Sequence, residues 1–212
     1  MIVAVVPVKP FPSAKSRLAG VLSPADREAL ARGLFRHTLD VLLSASPIDR
    51  LVVVGEPVAH PAVLTIPDPT LGLNAAVAAG VAAARNADAV LVVPADLPFL
   101  SPAAIAQLVE RRAPIADVPH VVIAPDRRHD GTNALLLTPP TLLSPAFGPG
   151  SFAAHRQAAA AAGALLAVHS DPAFAFDLDL PDDLAALPRQ IVDRLLALGT
   201  REAFSHSYVV RR

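Results

Sequence analysis

At 212 residues the chain is long enough for one compact α/β domain with a well-buried core, and nothing in its length demands a second. With 53% hydrophobic but only 4% aromatic residues, that core must be built from Ala, Val and Leu, and a formal net charge of −1 provides no field for drawing in nucleic acid or an anionic membrane. The absence of Cys excludes a disulfide framework, a thiolate nucleophile and a Cys-ligated metal, and fits a reducing cytoplasm.

Ile2–Val8 is continuously apolar rather than alternating, as expected of a central parallel strand covered on both faces, and it meets Pro7 and Lys9 too soon to be a signal or membrane segment. A soluble, cytoplasmic protein is expected. Lys9–Leu18 follows as a polar loop, and Ser23-Pro24 reads as N-cap and first residue of a helix over Ala25–Leu43. Leu51–Val54 and Val63–Ile66 are the next strands. The Ala-rich stretch between Gly72 and Arg85 is a helix with Asn74 as its expected N-cap. Val90–Val93 is a strand, Ser101-Pro102 opens a helix to about Arg112, and Val121–Ala124 and Asn133–Leu137 are strands. Ser151–Ala162 is a helix, and Leu165–Val168 and the segment near Phe176 are expected to finish the sheet. The alternation predicts an α/β fold, a Rossmann-like, mostly parallel sheet with helices on both faces. Residues 1–187 form the domain, and 188–212 a last helix at about Gln190–Leu198 with a peripheral tail carrying Tyr208, a candidate contact for a homodimer.

Three groupings could carry chemistry. Lys9, Lys15 and Arg17 follow the first strand, which ends at Pro7, where α/β folds bind phosphates; the same cations also fit an ordinary solvated loop. Neither a Walker sequence nor a GxGxxG is present. Asp96 follows the apolar run LVVPA, and Mg²⁺ bridging the phosphates of a nucleotide takes one or two hard carboxylate oxygens of this kind. Asp177 and Asp179 alternate along the expected last strand, so they are expected to point to opposite faces and only one to meet the metal. Asp182 and Asp183 sit in a first helical turn, where acids serve the helix dipole. The third grouping is Asp130-Gly131-Thr132-Asn133 with Phe147-Gly148-Pro149-Gly150-Ser151 and His155, in which hydroxyls, Gly backbone and a helix N-terminus could cradle an anion. Taken singly these are a turn, an N-cap and a packing histidine. The remaining histidines, His37, His60, His120, His129, His169 and His206, show no metal-ligand spacing.

Read in order, VPVKPFPSAKSRLAGVLSPADREALAR, LGLNAAV, VVPADLPFL, APDRRHDGTNALLLTPP, FGPGSFAAH and DLDLPDDL closely resemble the guanylyltransferases of coenzyme F-420 biosynthesis, over roughly residues 1–187. The resemblance implies a Mg²⁺-dependent nucleotidyltransferase using GTP and a phosphorylated three-carbon acid. By motif, Asp96 and an Asp of the Asp177/Asp179 pair would hold the metal, and Lys9, Lys15 and Arg17 would face the triphosphate, with Lys15, Arg17 and Asp96 closest to the chemistry. Thr132, Asn133, Gly148, Ser151 and His155 would form the acid site, and Pro7 and the Gly72–Asn74 turn would complete the nucleotide site. The resemblance implies transfer of GMP to phosphoenolpyruvate or 2-phospho-L-lactate with release of pyrophosphate; a 3-phospho-D-glycerate acceptor and a molybdopterin-type guanylyl or cytidylyl transfer are the alternatives. A catalytically silent nucleotide-binding module is a different class, which the intact carboxylates argue against.

Overall fold

The computed structural model describes residues 1–112 and 118–201; the segment carrying Tyr208 and His206 lies outside the described residues. Seven strands form one sheet: β1 (Ile2–Pro7), β2 (Arg50–Val54), β3 (Val63–Ile66), β4 (Ala89–Val92), β5 (His120–Pro125), β6 (Thr132–Thr138) and β7 (Leu165–Val168), in the spatial order β3-β2-β1-β4-β6-β5-β7. All pairings are parallel except those of β6, which runs antiparallel to both β4 and β5. The sheet is therefore mostly parallel, as its continuous apolar strands imply. Strand order reverses between β1 and β4, so their C-terminal ends open the crevice where such sheets take their ligands.

The pleat divides the core in two. Ala4 and Val6 of β1, Leu51 and Val53 of β2, and Leu91 of β4 pack with Phe35, Leu39 and Leu42 of α1 (Pro24–Ser44) and Ile105 and Leu108 of α3 (Pro102–Glu110). Val3 and Val5, Val52 and Val54, and Val90 and Val92 face the other way, toward Val77 and Val81 of α2 (Leu73–Ala83) and Phe152 and Ala159 of α4 (Ser151–Ala161). Period-two alternation within wholly apolar strands thus supplies two helix-covered faces. The helix starts at Ser23 and Ser101 follow the sequence, since each side chain accepts a backbone N–H three residues on, from Asp26 and Ala104.

Two expectations fail. Residues near Phe176 do not join the sheet, because Asp171 caps a short helix α5 (Pro172–Ala175) and the chain then runs extended, beyond β7, to α6 (Pro181–Ala186). Asn74 is not the N-cap of α2; Gly72 is, and Asn74 lies inside the first turn.

The last helix, α7 (Arg189–Gly199), packs directly on α1. The contact is backbone on backbone: a Cβ on Gly33 would lie 1.9 Å from the Leu195 carbonyl oxygen, and one on Gly199 would lie 1.8 Å from that of Ala29. Leu195 closes a third cluster with Leu18, Leu30, Leu34 and Leu178. No helix among the described residues is long and apolar enough to cross a membrane.

Candidate active site

After β1 the chain crosses the crevice in two short 3-10 turns, Phe11–Ser13 and Ser16–Leu18, anchored by buried Phe11 and Leu18. Between them Lys15 adopts a left-handed backbone (φ 52°), a conformation costing about 1 kcal/mol for a residue with a Cβ. This sends its side chain, only 9% exposed, inward to donate to Asp179 Oδ1 at 3.0 Å and Asp96 Oδ2 at 3.4 Å. Burial alone would lower the pKa of this ammonium, but the charges of Asp96 and Asp179 outweigh it and hold the pKa above the usual lysine value. Arg17, largely exposed, lies 3.5 Å from the other oxygen of Asp179. Pro7, Lys9, Lys15, Leu73, Pro94 and Asp96 line a cleft of about 220 Å³ at this point. The N-terminal cations and the strand-end carboxylate therefore converge at the β1/β4 switch point.

Asp177 and Asp179 do not face opposite ways. Residues two apart on an extended chain share a side, and the one that turns away is Leu178, fully buried, whose amide donates to the Asp96 carbonyl at 3.1 Å. Burial first, then the negative charges of Asp96 and Asp179, push the Asp177 carboxyl above the ordinary range. Asp183 holds this segment in shape: its carboxylate accepts the amides of Asp179 at 2.9 Å and Leu180 at 2.6 Å and pairs with Arg127. Burial would raise its pKa, but those hydrogen bonds and the guanidinium more than reverse this and leave it depressed. Arg127, which also stacks over Phe176, was not singled out in the sequence, because its partner lies 56 residues away.

No three His, Cys, Asp or Glu side chains among the described residues already stand as a metal-binding cluster. Even so, the donor set fits a hard cation. Asp96 Oδ1 is buried without a hydrogen-bond partner, and the neighbouring Asp177 carboxylate is disfavoured by surrounding negative charge, both conditions that a divalent ion relieves.

The residues of the third sequence grouping divide by role. Asn133 does not open to solvent; its amide donates to the Phe174 carbonyl at 2.8 Å and hydrogen-bonds Asp177, joining the two halves of the site. Ser151 is the first residue of α4 rather than its cap, which is Gly150, and the Ser151 hydroxyl is buried with no partner. Gly148, at φ 128°, turns the loop with backbone geometry that side chains rarely adopt, and space opens where a Cβ would stand. The helix terminus itself is not free to bind: the Gly150 amide is taken by the Asp130 carboxylate, and the amides of Ser151 and Phe152 by the carbonyls of Gly148 and Asp130. His155 is fully buried, with Nδ1 2.9 Å from Thr132 Oγ1 and Nε2 accepting the Ala146 amide at 3.1 Å, so both ring nitrogens are occupied within the protein. Burial pushes its pKa down to about 4. Asn74 spends both ends of its amide on Phe147, donating to the carbonyl at 3.0 Å and accepting the N–H at 2.7 Å, and so ties the start of α2 to the loop before Gly148.

Comparison with known proteins shows the family and the fold. The family described as "Guanylyl transferase CofC like" matches residues 2–188. A phosphoenolpyruvate guanylyltransferase of Rubrobacter xylanophilus is 44% identical over 87% of this chain and 92% of its own, and one of Conexibacter woesei is 40% identical over 90% and 89%. Among solved structures, a nucleotidyl transferase from Methanothermobacter thermautotroptrophicus superposes with a TM-score of 0.62 at 20% identity, over 93% of this chain and 98% of its own. The 4-diphosphocytidyl-2C-methyl-D-erythritol synthase of Anaerococcus prevotii superposes at 0.57 and 12% identity, over 93% and 96%. At these identities the structures speak for the fold alone. The crevice brings Lys15, Asp96 and Asp179 together at the sheet's switch point, and with a family match over nearly the whole chain this protein belongs to the CofC-like guanylyl transferase family.

Proposed function

We propose that the protein transfers GMP from GTP to phosphoenolpyruvate, releasing pyrophosphate and leaving enolpyruvyl-diphospho-5'-guanosine. The observation that carries the choice of acceptor is that relatives up to 44% identical over most of the chain bear the name phosphoenolpyruvate guanylyltransferase. In the reaction an oxygen of the acceptor phosphate forms a bond to the α-phosphorus of GTP while the bond from that phosphorus to the bridging oxygen breaks, and pyrophosphate leaves with the electron pair. The acceptor phosphate is already ionised at neutral pH, so no general base is needed, and alignment and charge neutralisation do the catalysis. Lys15 and Arg17 would supply fixed positive charge beside the triphosphate, Lys9 would extend it at the rim, and Pro7 and Leu73, which line the cleft, would border the nucleotide with Gly72 at the adjoining start of α2. Asp96, with Asp177 or Asp179, would hold Mg²⁺, which when bound neutralises and polarises phosphate oxygens. Thr132, Gly148 and Ser151 would bind the acid, with Ser151 offering a buried hydroxyl that has no partner of its own. The cysteine-free composition fits work in a reducing cytoplasm.

The test is a product assay. The protein is incubated with Mg²⁺, GTP or ATP, and each of phosphoenolpyruvate, 2-phospho-L-lactate and 3-phospho-D-glycerate, with pyrophosphate and product mass measured. Stoichiometric pyrophosphate and the guanosine adduct are expected with GTP and phosphoenolpyruvate. Preference for another acid would move the acceptor assignment, and silence with all three would end the reading.

A further inference from the structure

His155 satisfies the usual description of a packing histidine, yet its hydrogen bonds impose a proton count. Its Nε2 accepts the Ala146 N–H, so that nitrogen carries a lone pair and no hydrogen. A neutral ring then has its one proton on Nδ1, which faces Thr132 Oγ1 at 2.9 Å. The opposite tautomer would set two donors against each other at Ala146, and the charged ring would do the same in a site with no exposed surface. Thr132 Oγ1 is thus an acceptor toward the histidine, and no other hydrogen bond to this oxygen occurs among the described residues. The hydroxyl's own hydrogen must be directed elsewhere, and the buried Ser151 hydroxyl, one turn before His155 on α4, is likewise without a partner.

We infer that His155 is a positioning residue that fixes Thr132 as a hydrogen-bond donor to the anionic acceptor substrate while bracing the loop before Gly148 through Ala146. The inference rests on the acceptor site proposed above. It assigns the ring no contact with substrate, since both nitrogens are spent on protein groups. A hydroxyl that accepts a bond from behind keeps its own hydrogen, and one remaining lone pair, for the site, and the directed O–H suits an oxyanion. The depressed proton affinity of His155 agrees, because the ring stays neutral across the range in which the acceptor is ionised.

The two bonds can be separated by substitution. In Asn the amide nitrogen stands as many bonds from Cβ as Nδ1, and in Gln the amide oxygen stands as many as Nε2. His155→Asn therefore keeps a donor for Thr132 and loses the brace, whereas His155→Gln keeps the brace and loses the donor. With His155→Gln, kcat/KM for the acceptor is expected to fall about tenfold while the KM for GTP stays within about twofold, and His155→Asn should recover most of the loss. Thr132→Val alone should cost about tenfold but add less than about twofold on top of His155→Gln. Costs that multiply in the double variant, or equal changes for both substrates, would overturn the inference. Should the Gln variant fail to fold, ¹⁵N resonances of the wild-type imidazole decide: Nδ1 is expected to be the protonated nitrogen, and a proton on Nε2 overturns the assignment. If wild-type protein makes no product with any acid, the proposed function fails instead, and the imidazole spectrum still tests the tautomer separately.

Discussion

The two halves of the crevice are held in opposite ways. On the proposed nucleotide side, Lys15, Arg17, Asp96 and Asp179 stand in place through mutual attraction of charges, with one oxygen of Asp96 left unsatisfied. On the proposed acceptor side Thr132, Asn133, Asn74, Ser151 and His155 are neutral; Asn133, Asn74 and His155 are committed in directional hydrogen bonds, and the Ser151 hydroxyl has no partner. Charged groups at a partly open cleft could change partners for the proposed triphosphate and cation, since each ion pair can be exchanged for another of similar strength. Neutral donors with fixed angles gain nothing by moving, and they suit the recognition of a small acid whose competitors differ by a methyl, a double bond or a shifted hydroxyl.

The sharpest way to break this contrast is to remove charge where the electrostatic half depends on it. Asp96→Asn is expected to lower turnover at least about 100-fold, about 2.7 kcal/mol, with folding intact, as read by pyrophosphate release and a thermal melt; near-normal turnover would sink the role of this side chain. A smaller effect, on stability, is expected from Asp183→Asn, which removes a buried charge serving Arg127 and two backbone amides: about 2 kcal/mol, read from a urea midpoint. The sign with pH is fixed by the depressed Asp183 pKa. Its contribution is complete above the unfolded value of 3.8 and is lost as pH falls through the lower folded value, so the variant should show a flatter acid limb below about pH 4, and an unchanged limb would deny the linkage. The smallest effect belongs to the neutral half. Ser151→Ala should shift stability by less than about 0.5 kcal/mol, because its hydroxyl has no partner to lose, yet raise the acceptor KM about tenfold. Equal damage to GTP binding would erase the distinction between the halves.

What the sequence disclosed follows the same divide. Asp96 is legible because an apolar strand ending in a Pro-bounded carboxylate has few structural uses, and Lys15 because a cation beyond a central strand is suited to phosphate. Gly72 and Asn74 show the limit: helix composition locates the start of α2, but the amide pair joining Asn74 to Phe147 spans 73 residues, and no local pattern announces it. Asp177 and Asp179 were legible in principle, since the two-residue period puts them on one side with Leu178 opposite. The segment around Phe176 alternates like a strand, but the cap by Asp171 and Pro172 gives a helical turn instead, and the following chain is held by Asp183 and Asp96 rather than by a neighbouring strand. His155 reads as a packing residue or a ligand from its position; only the two bonds to its ring show it to be a support.

The glycine-on-carbonyl seam between α1 and α7 has a practical bearing. The family match stops at residue 188, one residue before α7 begins, yet Leu195 of that helix seals the cluster containing Leu18, the residue that anchors the turn after Lys15. Cutting the gene at the homology boundary would bare Leu30 and Leu34 to water and take the floor from under the loop that carries Lys15. A shortened chain must keep α7 through its C-cap Thr200 for the backbone seam to close.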